Sequence, residues 1–533
     1  MLNCASCLND WLALNIVLST LNARYAHASL GLRYLRANLR EFRADSQIQE
    51  FVIGQKTEDV AEQLLLLNPD VLGLGVYIWN IVESTRLVTQ LKLLKPELII
   101  VLGGPEVSYE FDGQPIVQLA DYLITGWGDV SFYELMAKLS NQKVATADSA
   151  HPVEKIIVGK QPPLEAIAWP YDEFSNHDLA QRTLYVEASR GCPFKCEFCL
   201  SSLDKSAWAF PQDQFLAQLE SLYQRGARVF KFVDRTFNLK IDASLGILDF
   251  FLAKLVLAQQ AGEPLPFLHF ELVPDHLPER LKSVIALFPP GTLQFEIGIQ
   301  TLNPEVQALI SRRQKNQLAL DNLVWLRQHS NAHLHVDLIA GLPGENLSSF
   351  ANGFNQLVAV KPHEIQFGIL KRLRGTPIIR HTQDFALRFN PEPPYNILCT
   401  DQLDFLTLQR MARFGRYWDL IANSGRFGQS LPFLLGESAF DRFMIFSDWL
   451  FAQSKTSHSL AVDRLFDYLV KFVQAEPFVG AADLAALAIS ADRMRVSQNA
   501  RSGAKPAPEL SRSTPSRQRR HLQARELISL VPA

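Results

Sequence analysis

Arg190-Gly191-Cys192-Pro193-Phe194-Lys195-Cys196-Glu197-Phe198-Cys199 places three cysteines in eight residues, spaced Cys-x3-Cys-x2-Cys, directly after a short apolar run at 184–188. Clustered thiolates hold iron–sulfur clusters, usually through four ligands, so three of them leave one iron of a cubic four-iron cluster open to another ligand. Structural zinc is the rival reading. It wants a fourth Cys or His at short spacing, and the nearest histidines are His177 and His269. Of the other cysteines, Cys4 and Cys7 form a Cys-x2-Cys pair ahead of the first plausible strand and read as part of an N-terminal extension. Cys399 reads as a small buried hydrophobe.

The rest of the chain must position that loop. At 533 residues it is too long for one ordinary core and implies two or three domains. A hydrophobic content of 47% with 20% charged residues is that of a globular protein. The net charge of −3 gives no electrostatic case for a nucleic-acid partner. No apolar run reaches the roughly 18 residues of a membrane span, and residues 1–12 lack the basic region and apolar core of a signal peptide. Six cysteines, three of them in one motif, do not make a secreted disulfide framework, so a reducing cytoplasm is expected.

Two stretches alternate apolar runs with helical periodicity, the habit of parallel α/β sheets. In the first, residues 12–140, strands are expected at 13–18, 47–53, 71–76, 98–102 and 122–125, giving a doubly wound Rossmann- or flavodoxin-like domain. Ligands of such sheets lie outside the carboxyl ends of the strands. The loops there carry Asn22 and His27, Tyr77 and Trp79, Gly103 and Gly104, and Gly126 and Gly128. No Gly-x-Gly-x-x-Gly or P-loop follows a strand. Residues 141–180 read as a Pro-rich linker. The second stretch, 181–380, has expected strands at 185–188, 229–233, 267–272, 293–299, 333–339 and 364–370, which make a partial (β/α)6 barrel of TIM type. Asp234, Arg235, Glu271, Glu296, Gln300, Asp337 and Lys371 gather at or near the ends of these strands. A buried carboxylate needs a partner, so their convergence marks a site. Residues 390–490 read as a helical C-terminal domain, with Phe405, Leu408, Met411 and Tyr417 on one apolar face. The tail, 495–533, reads as mostly disordered. Its basic run Arg517-Gln518-Arg519-Arg520-His521 is either solvated or directed at a phosphate or acidic partner.

The cysteine spacing, with Gly191 before the first cysteine and Phe198 before the third, resembles the signature of the radical S-adenosylmethionine (radical SAM) superfamily. The resemblance implies a 4Fe-4S cluster on Cys192, Cys196 and Cys199, with SAM on the open iron. It places Phe198 and Gly341 near the adenine, with Asp337 in the Gly-Leu-Pro-Gly-Glu element of the porphyrinogen-oxidase branch. Glu296 and Gln300 become SAM contacts, and Asp234 approaches the methionine moiety where other members carry an absent Gly-Gly-Glu. The first domain is similar to the cobalamin-binding domains that precede many such barrels. That similarity assigns Asn22, Tyr77, Gly103, Gly104, Gly126 and Gly128 to cobalamin, although Gly126-Trp127-Gly128-Asp129 departs at two positions from the usual Gly-Glu-Gly-Glu-like turn. No Asp-x-His-x-x-Gly is present, so the lower cobalt face is expected to meet a nonpolar or water-filled wall near Tyr77 and Trp79. His27 is not expected to ligate cobalt.

As a whole, the chain resembles an uncharacterised branch of cobalamin-associated radical SAM proteins with an extra C-terminal domain of unknown function. The resemblance implies methylation of an unactivated carbon in a small-molecule or peptide substrate, with a flavodoxin or ferredoxin as electron donor. Radical rearrangement or oxidative cyclisation without methyl transfer is the second reading, and a non-catalytic metal-cluster or ligand-sensing protein the third. A methylthiotransferase is disfavoured, because no cysteines for a further cluster lie between Leu12 and Ala180.

Overall fold

A computed structural model describes residues 14–144, 153–475, 482–501 and 515–529. The Cys4/Cys7 pair lies outside the described residues. Strand β1 (Ile16–Asn22) is buried along its whole length, as a central strand of a parallel sheet covered on both faces must be. Around it lie β2 (Ser46–Val52), β3 (Val71–Gly75), β4 (Ile99–Gly103), β5 (Tyr122–Thr125) and β6 (Ile156–Val158). Their order, β2-β1-β3-β4-β5-β6, is parallel throughout. Helices α1 (Leu30–Ala37), α2 (Thr57–Leu66), α3 (Ile81–Leu94), α4 (Pro115–Leu119) and α5 (Asp129–Val144) cover the two faces, each with its own apolar core. The doubly wound expectation is met. Residues 156–158, expected within the linker, instead extend this sheet by one strand.

After α6 (Asn176–Gln181), strand β7 (Leu184–Val186) opens the second sheet. The cysteine loop follows it, framed by a short antiparallel ribbon of β8 (Ser189–Arg190) and β9 (Trp208–Ala209). Strands β10 (Val229–Phe232), β11 (Phe267–Leu272), β12 (Leu293–Gln300), β13 (His333–Ala340) and β14 (Glu364–Ile369) complete the partial barrel, in the order β14-β13-β12-β11-β10-β7. The barrel's apolar core continues into the C-terminal helices, so the last domain is packed on the barrel rather than tethered to it. Residues 405–421, 439–454, 462–475 and 482–501 form its long helices. Among the described residues, no helix is long and apolar enough to cross a membrane.

Part of the tail expected to be disordered is a helix, residues 516–529, held under the barrel by polar contacts. Arg517 bonds Glu364 at 2.7 Å and Asp419 at 2.8 Å. Gln518 donates to the Leu293 carbonyl at 3.3 Å, and His521 pairs with the Asn423 carbonyl at 3.1 Å. Its anchors are ion pairs on carboxylates supplied by β14 and the 405–421 helix, which tail composition does not reveal. His521, Glu364 and His333 converge there. Burial and the neighbouring His333 push the His521 imidazole down to about 4. Burial acts to raise the Glu364 carboxyl, but the His333 hydrogen bond and the surrounding cations outweigh it and hold it at about 2. Both groups therefore stabilise the docked helix at neutral pH. His521 loses its contribution as pH falls from about 6.5 towards 4, and Glu364 adds its own loss below about 4.5. Hydrogen exchange of residues 516–529 is expected to accelerate across that window, with a loss on the order of 1–3 kcal/mol. A rate unchanged between about pH 7 and 4.5 would contradict this reading.

Candidate functional site

The cysteine loop is pinned from both sides before any ligand binds. Cys192 N–H donates to the Asp204 carbonyl and Cys199 N–H to the Cys196 carbonyl, each at 3.1 Å. Gly191 has φ +85° and packs so tightly that a Cβ would lie 2.0 Å from the Ser206 carbonyl oxygen, so only glycine serves before the first cysteine. Glu197 is buried inside the motif. Its carboxylate accepts from Ser311 at 2.6 Å and from Arg380 Nε at 2.7 Å, and lies 3.0 Å from His381 Nε2. All three cysteines are unpaired thiols facing one cavity of about 260 Å³. Burial pushes the Cys192 and Cys196 thiols up, in the second case against the pull of Arg312. Three thiols lining one cavity are a donor set that suits iron–sulfur ligation.

Strand alternation decides which other residues reach this cavity. β12 buries Leu293, Phe295, Ile297 and Ile299 outward and turns Glu296, Gly298 and Gln300 to the barrel lumen, while β13 does the same for Asp337. Phe198, Glu296, Gln300 and Asp337 are thus brought together with the sulfurs, joined by Arg235, Glu271 and Arg312. Burial would raise Glu296, yet His269 Nε2 at 3.1 Å and Lys231 at 3.6 Å hold its carboxyl at about 2. Asp337 is the opposite case. Burial and the nearby Glu296 and Glu271 push it well up, and its Oδ1 is buried with no hydrogen bond among the described residues, the His335 imidazole standing 3.4 Å away. An orphaned polar oxygen in a cavity beside three thiols fits a polar ligand such as SAM.

Two expected SAM contacts stand elsewhere. Asp234 is buried behind the loop, accepting from Ala188 N–H at 3.0 Å and Ser189 Oγ at 2.5 Å, and burial raises its carboxyl to about 7 despite those bonds. It braces the entry to the cysteine loop, and its neighbour Arg235 faces the cavity instead. Gly341 packs against Ile397, away from the cavity lining. Arg312 was not legible in the sequence: it lies in an irregular segment after β12, yet reaches 3.7 Å from Cys196 Sγ and also bonds the Gly298 carbonyl.

A second cavity, of about 510 Å³, separates the first sheet from the barrel. Gly73, Gly75, Gly103, Gly104, Gly126, Gly128 and Tyr77 line one side, and Glu187, Arg190, Gly191 and Arg235 the other. At Gly104, φ is +110° and a Cβ would fall 2.4 Å from the Val76 carbonyl oxygen. A trench with glycines along one wall, at the carboxyl ends of β3, β4 and β5, fits a broad planar ligand such as a corrin. No described histidine lines it; Tyr77 does, stacked on Trp79 with centroids 4.4 Å apart. Asn22 is not in the trench, since its amide donates to Glu50 at 2.9 Å. His27 is also outside, its Nδ1 2.5 Å from Tyr185 Oη. Arg190, first residue of the cysteine motif, bridges the domains: it bonds Asp129 at 2.8 and 3.2 Å and Glu187 at 3.0 Å, and lies over the Tyr34 and Trp127 rings.

A doubly wound sheet thus faces a partial barrel across one cavity, and three thiols line another inside the barrel. Residues 186–356 match the family model of the radical SAM superfamily, 16–136 that of the B12 binding domain, and 383–519 that of a protein of unknown function, DUF4080. The chain thus carries a radical SAM domain at 186–356, with a B12 binding domain before it and DUF4080 after it. The radical SAM and B12 binding domains imply a 4Fe-4S cluster, SAM and cobalamin as cofactors. The cobalamin-dependent radical SAM methyltransferase TokK of Streptomyces tokunonensis is 27% identical over 367 residues, covering 62% of this chain and 51% of that protein. The 2-(S-pantetheinyl)-carbapenam-3-carboxylate methyltransferase of Streptantibioticus cattleyicolor is 26% identical over 337 residues, covering 57% and 48%. The chain thus spans about half the length of these curated relatives. In fold it is similar to the cobalamin-dependent SAM radical enzyme OxsB with aqua-cobalamin bound, with a TM-score of 0.60 at 13% identity, covering 97% of this chain and 84% of that one. It is also similar to the methyltransferase TsrM of Kitasatospora setae, with a TM-score of 0.55 at 14% identity, covering 71% and 78%.

Proposed function

We propose that this protein is a cobalamin-dependent radical SAM methyltransferase that methylates an unactivated carbon of a small-molecule or peptide substrate. One observation carries the reading: Arg235 lines both cavities, so the thiol chamber and the glycine trench are separated by little more than one side chain. When bound, the cluster supplies the electron that cleaves SAM, and cobalamin carries a methyl group between SAM and substrate. Cys192, Cys196 and Cys199 would hold the cluster. Glu296, Gln300 and Asp337 would bind the polar parts of SAM, Phe198 would flank its adenine, and Tyr77 with Gly103, Gly104, Gly126 and Gly128 would seat the corrin. Arg235, fixed by Glu271 at 2.8 Å, would set the boundary between the chambers and exclude water from it. A flavodoxin or ferredoxin in the cytoplasm would deliver the electron. In support, a methyltransferase relative aligns across much of this chain.

Anaerobic cobalamin binding tests the reading. The reconstituted chain is expected to retain cobalamin through gel filtration with a shifted visible spectrum, and to release 5′-deoxyadenosine and S-adenosylhomocysteine when given SAM, a reductant and substrate. Cobalamin that elutes free removes the trench assignment, and turnover of a substrate without S-adenosylhomocysteine excludes methyl transfer.

A further inference from the structure

A third cavity, of about 720 Å³, lies where the partial barrel fails to close, and it is built from three parts of the chain. Gln366 comes from β14, the edge strand of the barrel sheet, Arg416 from the 405–421 helix, and Arg517 and Arg520 from the 516–529 helix. Arg24 comes from the loop after β1, which reaches the opposite lip: His27 in that loop forms a bridge to Thr183, just before edge strand β7. The cavity therefore spans the seam between the two edge strands. It also adjoins the thiol chamber, because Gln366 is the register partner of Asp337 and both sit on the lumen side of their strands.

The charge at this seam is unbalanced. Four guanidinium groups line it with one carboxylate, Asp419, which pairs with Arg517 at 2.8 Å and with Arg416 at 3.7 Å, while Glu364 outside the lining also holds Arg517 at 2.7 Å. Among the described residues neither Arg24 nor Arg520 has an ion-pair partner. Arg520 is half-buried, and burial with the nearby Arg426 and Arg517 pushes it down to about 10, as uncompensated like charges must. The amino end of the 516–529 helix, at Ser516, adds its dipole to the same field. Converging guanidinium groups bind phosphate oxygens in bidentate pairs, and the volume is that of a small-ligand site.

Resting on the radical SAM reading above, we infer that this seam binds the phosphate end of the substrate, making the substrate a small organic phosphate whose other end enters the lumen past Gln366. The test is calorimetric titration of the full chain with pyrophosphate, and with citrate at matched ionic strength. One pyrophosphate should bind per chain, with citrate at least about tenfold weaker. The Arg24→Gln/Arg416→Gln pair, drawn from exposed side chains to spare the fold, should weaken pyrophosphate by about tenfold or more. Arg24→Lys/Arg416→Lys should recover only part of it, since an ammonium keeps the charge but not the bidentate pair. Absence of binding, or binding unchanged in the Gln pair, overturns the site, and citrate binding as tightly as pyrophosphate overturns the phosphate assignment. 5′-Deoxyadenosine release by the same wild-type preparation is read separately: its failure takes down the proposed function, while a failed titration takes down this inference alone.

Discussion

The Cys196→Ala chain is expected to carry less than about one iron after anaerobic reconstitution, against about four for the unsubstituted chain, and to lose 5′-deoxyadenosine release by about a thousandfold or more. The size of the effect follows from the donor count. Three thiols face the cavity, and among the described residues no fourth sulfur lines it: Cys399 is outside the lining, in a short antiparallel pairing with Arg388. Removing one of three ligands leaves two, too few to hold the cluster. The remaining polar wall cannot substitute, because Arg312 beside Cys196 is a cation and repels iron. Cys399→Ala is the matched control and should keep its iron. A zinc content near one per chain, with little iron, would overturn the cluster assignment. Reconstitution should also be favoured as pH rises, since burial keeps the Cys192 and Cys196 thiols protonated and ligation must displace those protons.

How much of this was legible from sequence depends on whether a residue's role follows from its own neighbours. The lumen-facing set was legible: Glu296, Gln300 and Asp337 follow from strict alternation in β12 and β13, because a two-residue period leaves no choice of face once the apolar residues are buried. Asp234 and Arg235 show the limit. Both closely follow β10, and chain position alone gives no reason to prefer one; in the fold the acid turns back to the Ala188 and Ser189 donors while the arginine faces both chambers. Asn22 fails for the same reason, since its partner Glu50 lies on the neighbouring strand. The 516–529 helix escaped because its docking rests on Arg517 reaching Glu364 and Asp419, about 150 and 100 residues away, rather than on an apolar stripe that periodicity could register. The double winding and the barrel, by contrast, are properties of local patterns and were plain.

Arg190 carries the second large expectation, because it is the one residue of the cysteine motif that reaches across to the B12-binding domain. Its guanidinium is nearly buried, with side-chain exposure of 12%, between Asp129 at 7% and Glu187 at 14%. Burial alone pushes the Glu187 carboxyl up, and Arg190 counters it. Truncating such a centre strands two carboxylates away from water, which costs about 3–5 kcal/mol, and also removes the stacking on Tyr34 and Trp127. Asp129 begins α5, immediately after the turn that carries Gly126 and Gly128, so the loss should loosen the trench rather than the thiol chamber. Arg190→Ala is therefore expected to weaken cobalamin retention by about a hundredfold or more while iron stays near four per chain. Arg190→Lys should recover little, since an ammonium cannot make the bidentate pair with Asp129. Should the alanine chain fail to fold, the milder Asp129→Asn substitution carries the same test, and combining it with Arg190→Lys should show coupling of about 1–3 kcal/mol in thermal unfolding. Cobalamin retained at wild-type affinity in both single variants would mean that the bridge holds the domains together without shaping the site between them. The geometry argues otherwise, because the same guanidinium lines the trench, and the residue beside it, Gly191, leads directly to the first cysteine.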